Sequence, residues 1–169
     1  MVTMETPINI RLANDEDFAT IYEIWLDGIE NSFNPNSIDG ETLHQRFKRN
    51  FQARQGIFNY WIVEADRRLL GWQSLIKSAH NPFREDNWAE SSTYIAKDNR
   101  VKGIGEALIK HAIREAEKSQ LEYIVGYVAV DNIGARKITQ RNGWIEVGEI
   151  PPSKKYKNGK RKLLLIRPV

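Results

Sequence analysis

Cysteine is absent from the 169 residues of the chain. Its absence excludes disulfides, thiolate nucleophiles and cysteine-based zinc sites, and it fits a reducing compartment. The chain also lacks an apolar run near the roughly 20 residues that a membrane helix needs. Met1–Thr6 contains no apolar core typical of a signal peptide. We therefore expect a cytoplasmic protein with no membrane partner.

A large excess of charge of one sign is missing as well. Lys and Arg number 25 against 22 for Asp and Glu, a net charge of +3, so the balance does not call for a nucleic acid partner. Apolar residues make up 41% of the chain and include five Trp, six Tyr and six Phe, which argues against disorder. The length predicts a single domain over residues 1–169.

Hydrophobic periodicity predicts a mixed α/β domain. Strands are predicted at Ile8–Leu12, Tyr60–Ala65, Leu69–Lys77, Trp88–Ala96, Tyr123–Val130, Trp144–Ile150 and Arg161–Arg167. Helices are predicted at residues 15–30, 41–53, 103–118 and 132–141. The almost wholly apolar Tyr123–Val130 indicates a central strand covered on both faces. The expected fold class is α/β, with a mixed sheet of about seven strands flanked by about four helices.

The strand-to-helix junction at residues 95–105 is the most informative stretch. It is polar, carries Arg100 and Lys102, and reaches the helix through Gly103 and Gly105. The first N–H groups of a helix lack internal partners, and the helix dipole favours anions there. Glycines let a bulky anion approach the backbone. The junction therefore predicts a phosphate cradle.

Other phosphate-binding loops are spelled differently. A Walker loop needs G-x-x-x-x-G-K-[ST], but Glu106 follows Gly105, which excludes a P-loop NTPase. A dinucleotide fingerprint needs a third glycine, for which only the small Ala107 could substitute, and no strand ending in an acid follows at the expected distance. A plain structural interpretation, in which the glycines only relieve a tight turn, stays open at this point.

The pattern Arg100-x-x-Gly103-x-Gly105 resembles the pyrophosphate loop of the GNAT superfamily of acyl-CoA-dependent N-acetyltransferases. Further segments, in the same order along the chain, resemble its phosphinothricin acetyltransferase-like branch: Ile10-Arg11-x-Ala13, Glu30-Asn31-Ser32, Gly71-Trp72, Pro82-Phe83, Glu90-Ser91-Ser92-Thr93-Tyr94-Ile95, Asp131-Asn132 and Gly143-Trp144. The likeness covers nearly the whole chain. It implies a GNAT-like fold and acetyl-CoA as the co-substrate.

The resemblance implies a cofactor site built largely from backbone. The pyrophosphate would lie on N–H groups of residues 101–105, and the pantetheine arm would lie along the end of the fourth strand, where the fourth and fifth strands splay apart. Asn132 would bond the arm from the other side, a role that is compatible with a helix N-cap. The implied cofactor-binding residues are Thr93, Tyr94, Ile95, Ala96, Arg100, Val101, Lys102, Gly103, Ile104, Gly105 and Asn132.

The resemblance also implies a general base but leaves the general acid open. Glu90 is the candidate base, acting directly or through a water, against the plain alternative of a solvated strand-edge carboxylate. The oxyanion donor would be a backbone N–H near Ile95. Where the family carries Tyr or His as the acid, this chain has Thr139, whose hydroxyl is not an acid at neutral pH. Three alternatives remain for the departure of the thiolate: water protonates it, Tyr127 protonates it, or it leaves without help. Asn142 is a second departure, from a usually apolar residue.

The resulting prediction is acetyl transfer from acetyl-CoA to the amino group of a small molecule, such as an amino acid or a phosphinothricin-like analogue, by direct attack in a ternary complex. A peptide, protein or polyamine acceptor is one alternative, and a non-catalytic CoA-binding module is another. His44, His80 and His111 are scattered and form no ligand pattern, so we expect no metal.

Two surface features of the C-terminal part bear on partners. The branch implies a homodimer, for which the apolar Leu163–Ile166 would supply an edge strand. The basic segment Lys154–Lys162 contains the turn signal Asn158-Gly159. We interpret it as a solvated hairpin whose charges discourage edge pairing rather than as a nucleic acid patch, because no aromatic residues are interleaved as stacking platforms.

Overall fold

The computed structural model describes residues 6–31, 37–155 and 159–169. Its seven strands are β1 (Asn9–Leu12), β2 (Tyr60–Ala65), β3 (Arg68–Lys77), β4 (Trp88–Ile95), β5 (Tyr123–Ala129), β6 (Ile145–Glu149) and β7 (Lys162–Pro168). Its α-helices are α1 (Phe18–Asp27), α2 (Gly40–Gln52), α3 (Ile104–Glu117) and α4 (Ile133–Arg141). Single 3₁₀ turns at Asp15–Asp17 and Ile29–Asn31 flank α1.

The strands form one mixed sheet in the order β1-β2-β3-β4-β5-β7-β6. Every neighbouring pair is antiparallel except β4 and β5, which run parallel and are connected through α3. A parallel pair requires such a crossover. The predicted α/β class, with about seven strands and four helices, is confirmed.

Local sequence signals explain where the first elements begin and turn. Asn14 caps the chain ahead of α1, since its side chain accepts from the N–H of Glu16 at 2.9 Å and Asp17 in return accepts from the N–H of Asn14 at 2.8 Å. Between β2 and β3, Asp66 and Arg67 have φ of 49° and 63°. Two successive positive φ angles are typical of the type I′ hairpin turn, so the predicted hairpin is confirmed.

The core lies on both faces of the sheet. One layer packs α1 and α2 on β2 and β3 and consists of Ala13, Ile21, Ile24, Phe47, Phe51, Tyr60, Ile62 and Trp72. Trp72 is anchored there by its indole N–H, which donates to the carbonyl of Ile21 at 3.1 Å. The other face holds α3 with the inner residues of β3, β4, β5 and β7, among them Leu75, Ala89, Ala112, Ala116, Ile124 and Leu165.

The prediction that β5 is covered on both faces is wrong for two residues. Tyr123 and Tyr127 are 37% and 41% exposed, whereas Ile124 and Val128 on the other face are buried. The reason is the placement of α1, which packs on β3 and β4 and leaves this end of the sheet open on its side. An apolar composition alone does not reveal which face of a strand lacks a covering helix.

The prediction that Leu163–Ile166 forms an edge is also wrong. β7 lies between β5 and β6 and pairs with both of them. The edge strand at this end of the sheet is β6, all five residues of which are exposed. Because β7, the last strand in the sequence, inserts between β5 and β6, the order of strands along the chain does not predict which strand lies at the edge.

The basic C-terminal segment is only partly solvated. Lys154, Lys155 and Lys160 are exposed, as predicted, while Asn158 of the predicted turn lies outside the described residues. Lys162 is only 7% exposed because it begins β7 opposite Ala129. Burial lowers the pKa of its ammonium group.

A test of the packing between β3 and β4 is Gly71→Ala. A Cβ at this position would lie 2.8 Å from both the side chain of Ile95 and the carbonyl oxygen of Tyr94. Because one contact is backbone, the strand pair must shift, and we expect a loss of about 1–3 kcal/mol in the free energy of unfolding, measured in urea. Gly148→Ala is the matched control, since no atom lies within 4 Å of its Cβ position. Equal stability of the two variants would contradict the close packing.

Candidate active site

The centre of the sheet contains an opening between β4 and β5. These strands pair only at Trp88 with Tyr123, Ala89 with Ile124 and Glu90 with Val125. Beyond this point β4 stays bonded to β3 as far as Ile95, and β5 stays bonded to β7 as far as Ala129. The two strands therefore part after Glu90, and beyond this residue they are no longer paired with each other, which opens a wedge between them.

Glu90 is the last residue of β4 that pairs with β5, so it stands at the apex of this wedge. Its side chain shares a face with Trp88 and Tyr94, opposite to the face on which Ala89 packs against α3. The position is partly buried, and this burial raises the pKa of the Glu90 carboxyl above its ordinary value. A higher pKa makes the ionised carboxylate a stronger base than an ordinary, solvated one.

Tyr127 lies across the wedge from Glu90. It is two residues beyond Val125 on β5, so the strand alternation places it on the same face as Glu90. Burial and the negative charge of Glu90 both raise the pKa of its phenol, which stays protonated at neutral pH. The two strands thus present a carboxylate and a neutral hydroxyl at the apex.

The free end of β4 is held from the β3 side by a buried polar cluster that the sequence analysis missed. Gln73 is fully buried, and its amide nitrogen donates to Ser91 Oγ at 2.7 Å and to the carbonyl of Ser74 at 2.9 Å. The hydroxyl of Thr93 donates to the amide oxygen of Gln73. The polar pair Gln73 and Ser74 within an otherwise apolar stretch of β3 is the sequence signal that could have indicated this cluster. It fixes Ser91 and Thr93 while their strand has no partner on the other side.

The predicted cofactor-binding residues 93–96 form this same free end. Tyr94 stacks on Trp72 with ring centroids 5.0 Å apart, and the N–H of Ala96 donates to the carbonyl of Leu70 at 2.8 Å, so the strand continues one residue beyond Ile95 in its pairing with β3. The stretch is therefore paired with β3 on one side and is not paired with β5 on the other.

The predicted phosphate cradle comes directly after β4 in the chain, at the start of α3. Gly103 has φ of 81° and caps α3 without a side-chain hydrogen bond. The first helical bond is made by the N–H of Ala107, which donates to Gly103 at 3.0 Å, so the N–H groups of residues 104–106 begin the helix without helical partners. Arg100 and Lys102 are exposed beside them.

One residue of the predicted cradle is already engaged. The N–H of Val101 donates to Asn99 Oδ1 at 3.0 Å, and the amide of Asn99 donates back to the carbonyl of Val101 at 2.9 Å. This side-chain turn shapes the loop ahead of Gly103. The N–H groups left to face an anion are those from Lys102 onward.

The remaining predictions concern Asn132, which is the N-cap of α4, and Thr139, which lies within α4. Asn132 is exposed and caps the helix, accepting from the N–H of Ala135 at 3.1 Å. Thr139 is buried, and its hydroxyl donates within the helix to the carbonyls of Ala135 and Arg136 at 3.1 and 3.0 Å. Its proton is directed into α4 rather than toward the wedge. This agrees with the view that Thr139 is not the acid.

The histidines occupy separate places. His44 packs edge-on against Tyr22, and burial lowers the pKa of His111, which packs near Trp61. Within residues 6–31, 37–155 and 159–169, no group of three or more His, Asp or Glu side chains is arranged to hold a metal ion. None of the helices described here has the length and apolar character that crossing a membrane requires.

Comparison with known proteins gives the family. Residues 8–145 match the model of the acetyltransferase (GNAT) domain. Since this match spans most of the chain, the chain belongs to the GNAT acetyltransferase family. The predicted family and its co-substrate class, acetyl-CoA, are thereby confirmed.

Solved structures share the fold at low sequence identity. The protein yncA from Salmonella typhimurium, solved with its cofactor acetyl-CoA, is 19% identical, with a TM-score of 0.79 over 95% of this chain and 93% of that one. A ribosomal-protein-alanine N-acetyltransferase from Brucella melitensis is 20% identical, with a TM-score of 0.78 over 95% and 99%. A phosphinothricin acetyltransferase from Sinorhizobium meliloti, in complex with acetyl-CoA, is 15% identical, with a TM-score of 0.77 over 96% and 88%. The names of these relatives cover different acceptors, so the fold does not identify the acceptor.

The burial of Glu90 predicts a stability effect with a definite sign. A carboxyl whose pKa is raised on folding holds its proton more tightly in the folded state, so its ionisation lowers stability as pH rises from the ordinary value of 4.5 through the raised one. Glu90→Gln should therefore be more stable than the parent protein at pH 7, and the difference should vanish well below pH 4.5. Urea unfolding across this pH range measures it.

Glu149→Gln is the control of opposite sign. Arg161 holds the Glu149 carboxylate at 2.5 and 2.7 Å and lowers its pKa, so removing this charge should reduce stability at neutral pH. If Glu90→Gln were instead destabilising at pH 7 and neutral at low pH, the carboxylate would be a stabilising, solvated group and not a desolvated one.

Proposed function

We propose that the protein transfers the acetyl group of acetyl-CoA to the amino group of a small molecule, by direct attack in a ternary complex. The observation that carries this proposal is the position of Glu90, a partly desolvated carboxylate at the apex of the wedge between β4 and β5. A wedge between two strands could by itself serve a binding protein. A carboxylate with a raised pKa at its apex supports proton transfer.

The proposed donor site runs from the wedge to the start of α3. The pyrophosphate lies on the N–H groups from Lys102 to Gly105 and the following turn, beside Arg100. The pantetheine arm lies along residues 93–96, which do not pair with β5, and reaches Asn132 on the far side. The charged end of the ligand thus meets a helix N-terminus, which favours anions.

The proposed chemistry assigns a proton to each side of the wedge. An amine attacks a thioester only after its ammonium form has lost a proton, and Glu90 accepts that proton directly or through a water. A backbone N–H near Ile95 stabilises the negative oxygen that develops during attack. Tyr127, neutral and on the same face, donates a proton or a hydrogen bond to the departing thiolate.

The chemistry of the apex supports a small amine as the acceptor. It presents one carboxylate among the aromatic residues Trp88, Tyr123 and Tyr127, which suits the single ammonium group of a small amine such as an amino acid or a phosphinothricin-like analogue. A thiol-release assay with acetyl-CoA and a panel of amino acids, polyamines and N-terminal peptides tests this class. Release of the CoA thiol with amino acids supports the proposal. Release only with peptides or polyamines would show that those are the acceptors instead. Binding of acetyl-CoA without release of the thiol would indicate a CoA-binding module.

A glycine of the cradle tests the donor site. Gly105 has an ordinary backbone conformation, and the atoms nearest to an added Cβ belong to Ile95 at 3.9 Å, so Gly105→Val should fold. Gly103 is a less suitable probe because its φ of 81° strains any replacement. Acetyl-CoA at 100 times its Kd should stabilise the parent protein by about 2.7 kcal/mol, or roughly 5–10 °C in Tm. The Gly105→Val variant should lose most of this shift.

Gly40→Val is the matched control for this experiment. Gly40 is the first residue of α2, and no atom lies within 4 Å of its Cβ position. This variant should keep the full acetyl-CoA shift. An undiminished shift in Gly105→Val would place the pyrophosphate elsewhere.

The catalytic assignment is tested with Glu90→Gln. The substitution keeps the shape and removes the base, so kcat should fall by roughly 10²–10⁴-fold while the affinity for acetyl-CoA stays nearly unchanged. Raising the pH should partly restore the rate, because solvent then deprotonates the amine. Steady-state kinetics between pH 6 and 9 measure both effects.

Thr139→Val and Tyr127→Phe separate the two hydroxyls in the same assay. Thr139→Val should reduce kcat by less than about tenfold, whereas Tyr127→Phe should reduce it by more, since only Tyr127 faces the wedge. A harmless Glu90→Gln combined with a severe Thr139→Val would show that the proton chemistry lies on the other side of the site.

A further inference from the structure

A charge cluster joins the first turn of α3 to the last turn of α4. Glu106, the third residue of α3, accepts at Oε1 from Arg141 Nε at 2.8 Å and at Oε2 from Arg141 Nη2 at 2.5 Å. Asn142 adds a third bond, from Nδ2 to Oε1 at 3.0 Å, and Lys110 lies 3.6 Å away. Both carboxylate oxygens are thus engaged by α4. We call Glu106, Arg141 and Asn142 the α3–α4 clamp.

The clamp explains the unusual Asn142. Its amide nitrogen bridges two groups, since it also donates to the carbonyl of Ile138 at 2.7 Å. An apolar residue at this position could not reach Glu106 in this way. The bonds to Arg141 and Asn142 lower the pKa of Glu106 to about 2, so the carboxylate stays charged at every working pH.

The position of Glu106 sets up a competition at the cradle. A glutamate at the third position of a helix can turn back to bond the backbone N–H of the N-cap residue. In α3 the N-cap residue is Gly103, whose N–H belongs to the proposed pyrophosphate site, and a free negative charge at that end would also repel the phosphates. With its carboxylate turned to Arg141, Glu106 does neither.

We propose that the α3–α4 clamp keeps the anion cradle open by holding Glu106 away from the N-terminus of α3 and neutralising its charge. Arg141 and Asn142 are accordingly positioning residues for the phosphates of the co-substrate. The proposal rests on the proposed function, because it presumes that acetyl-CoA binds at this helix end. It goes further in assigning a role to residues that do not contact the acetyl group.

The test is Arg141→Gln, with binding of CoA and acetyl-CoA measured by titration calorimetry. Loss of the bidentate partner leaves Glu106 with only the bond from Asn142 and the ion pair with Lys110, so its charge is less neutralised and its side chain less restrained. The Kd should rise by roughly tenfold, the size expected when one partly screened charge acts on an anion. The double variant Glu106→Gln/Arg141→Gln should return to within about twofold of the parent protein, because the competing charge is gone. The KM for acetyl-pantetheine, which lacks the pyrophosphate, should be the same in all three proteins.

Arg136→Gln is the matched control. Arg136 lies on the same helix and makes a similar bidentate pair with Glu146 at 2.9 and 3.1 Å, away from the cradle. This variant should bind CoA as the parent protein does. A merely structural role for the clamp would lower Tm without ligand and weaken the double variant as much as the single one.

The outcomes separate this proposal from the proposed function. If the parent protein binds neither CoA nor acetyl-CoA, both are overturned. If it binds them and Arg141→Gln binds equally well, or if the double variant stays as weak as Arg141→Gln, the clamp proposal alone is overturned. A rise in Kd for Arg141→Gln that Glu106→Gln reverses supports it.

Discussion

The parting of β4 and β5 after three paired residues is the constraint on which the rest of the structure depends. It places Glu90 at an apex, separates the end of β4 from β5, and brings β4 into α3 through the glycine-containing loop. A parallel pair has to be connected by a crossover, and the crossover here delivers a helix N-terminus to the mouth of the wedge. The proposed proton transfer and the proposed anion site therefore both depend on a single irregularity of the sheet.

Unpaired strands are normally unstable, and this wedge is supported from outside. On the β4 side, Gln73 ties Ser91 and Thr93 to β3, and the layer of α1 packs Tyr94 against Trp72. On the β5 side, β7 pairs with the whole strand and Trp144 lies over Gly126. The strands thus keep their separation by contacts to their outer neighbours.

Much of this could be predicted from the sequence, because periodicity and turn chemistry act locally. The capped start of α1, the hairpin at Asp66 and Arg67, and the glycine loop before α3 were all visible in neighbouring residues. What failed depended on distant packing: the open face at Tyr127 and the interior position of β7 follow from where helices and late strands settle. The Gln73 cluster and the clamp on Glu106 were missed for the same reason, since their partners are 18 to 36 residues away in sequence.

The exposed strand β6 has a consequence for how the protein behaves at high concentration. Its register against β7 is broken between Glu146 and Gly148, and both of its carboxylates are paired with arginines of neighbouring segments. A bulged, charged edge is a poor template for a foreign strand, although Ile145 and Val147 are more than half exposed. The bulge therefore disfavours edge-to-edge pairing of β6 with a strand of another molecule. A substitution that removed the bulge would let the exposed apolar residues of β6 promote aggregation.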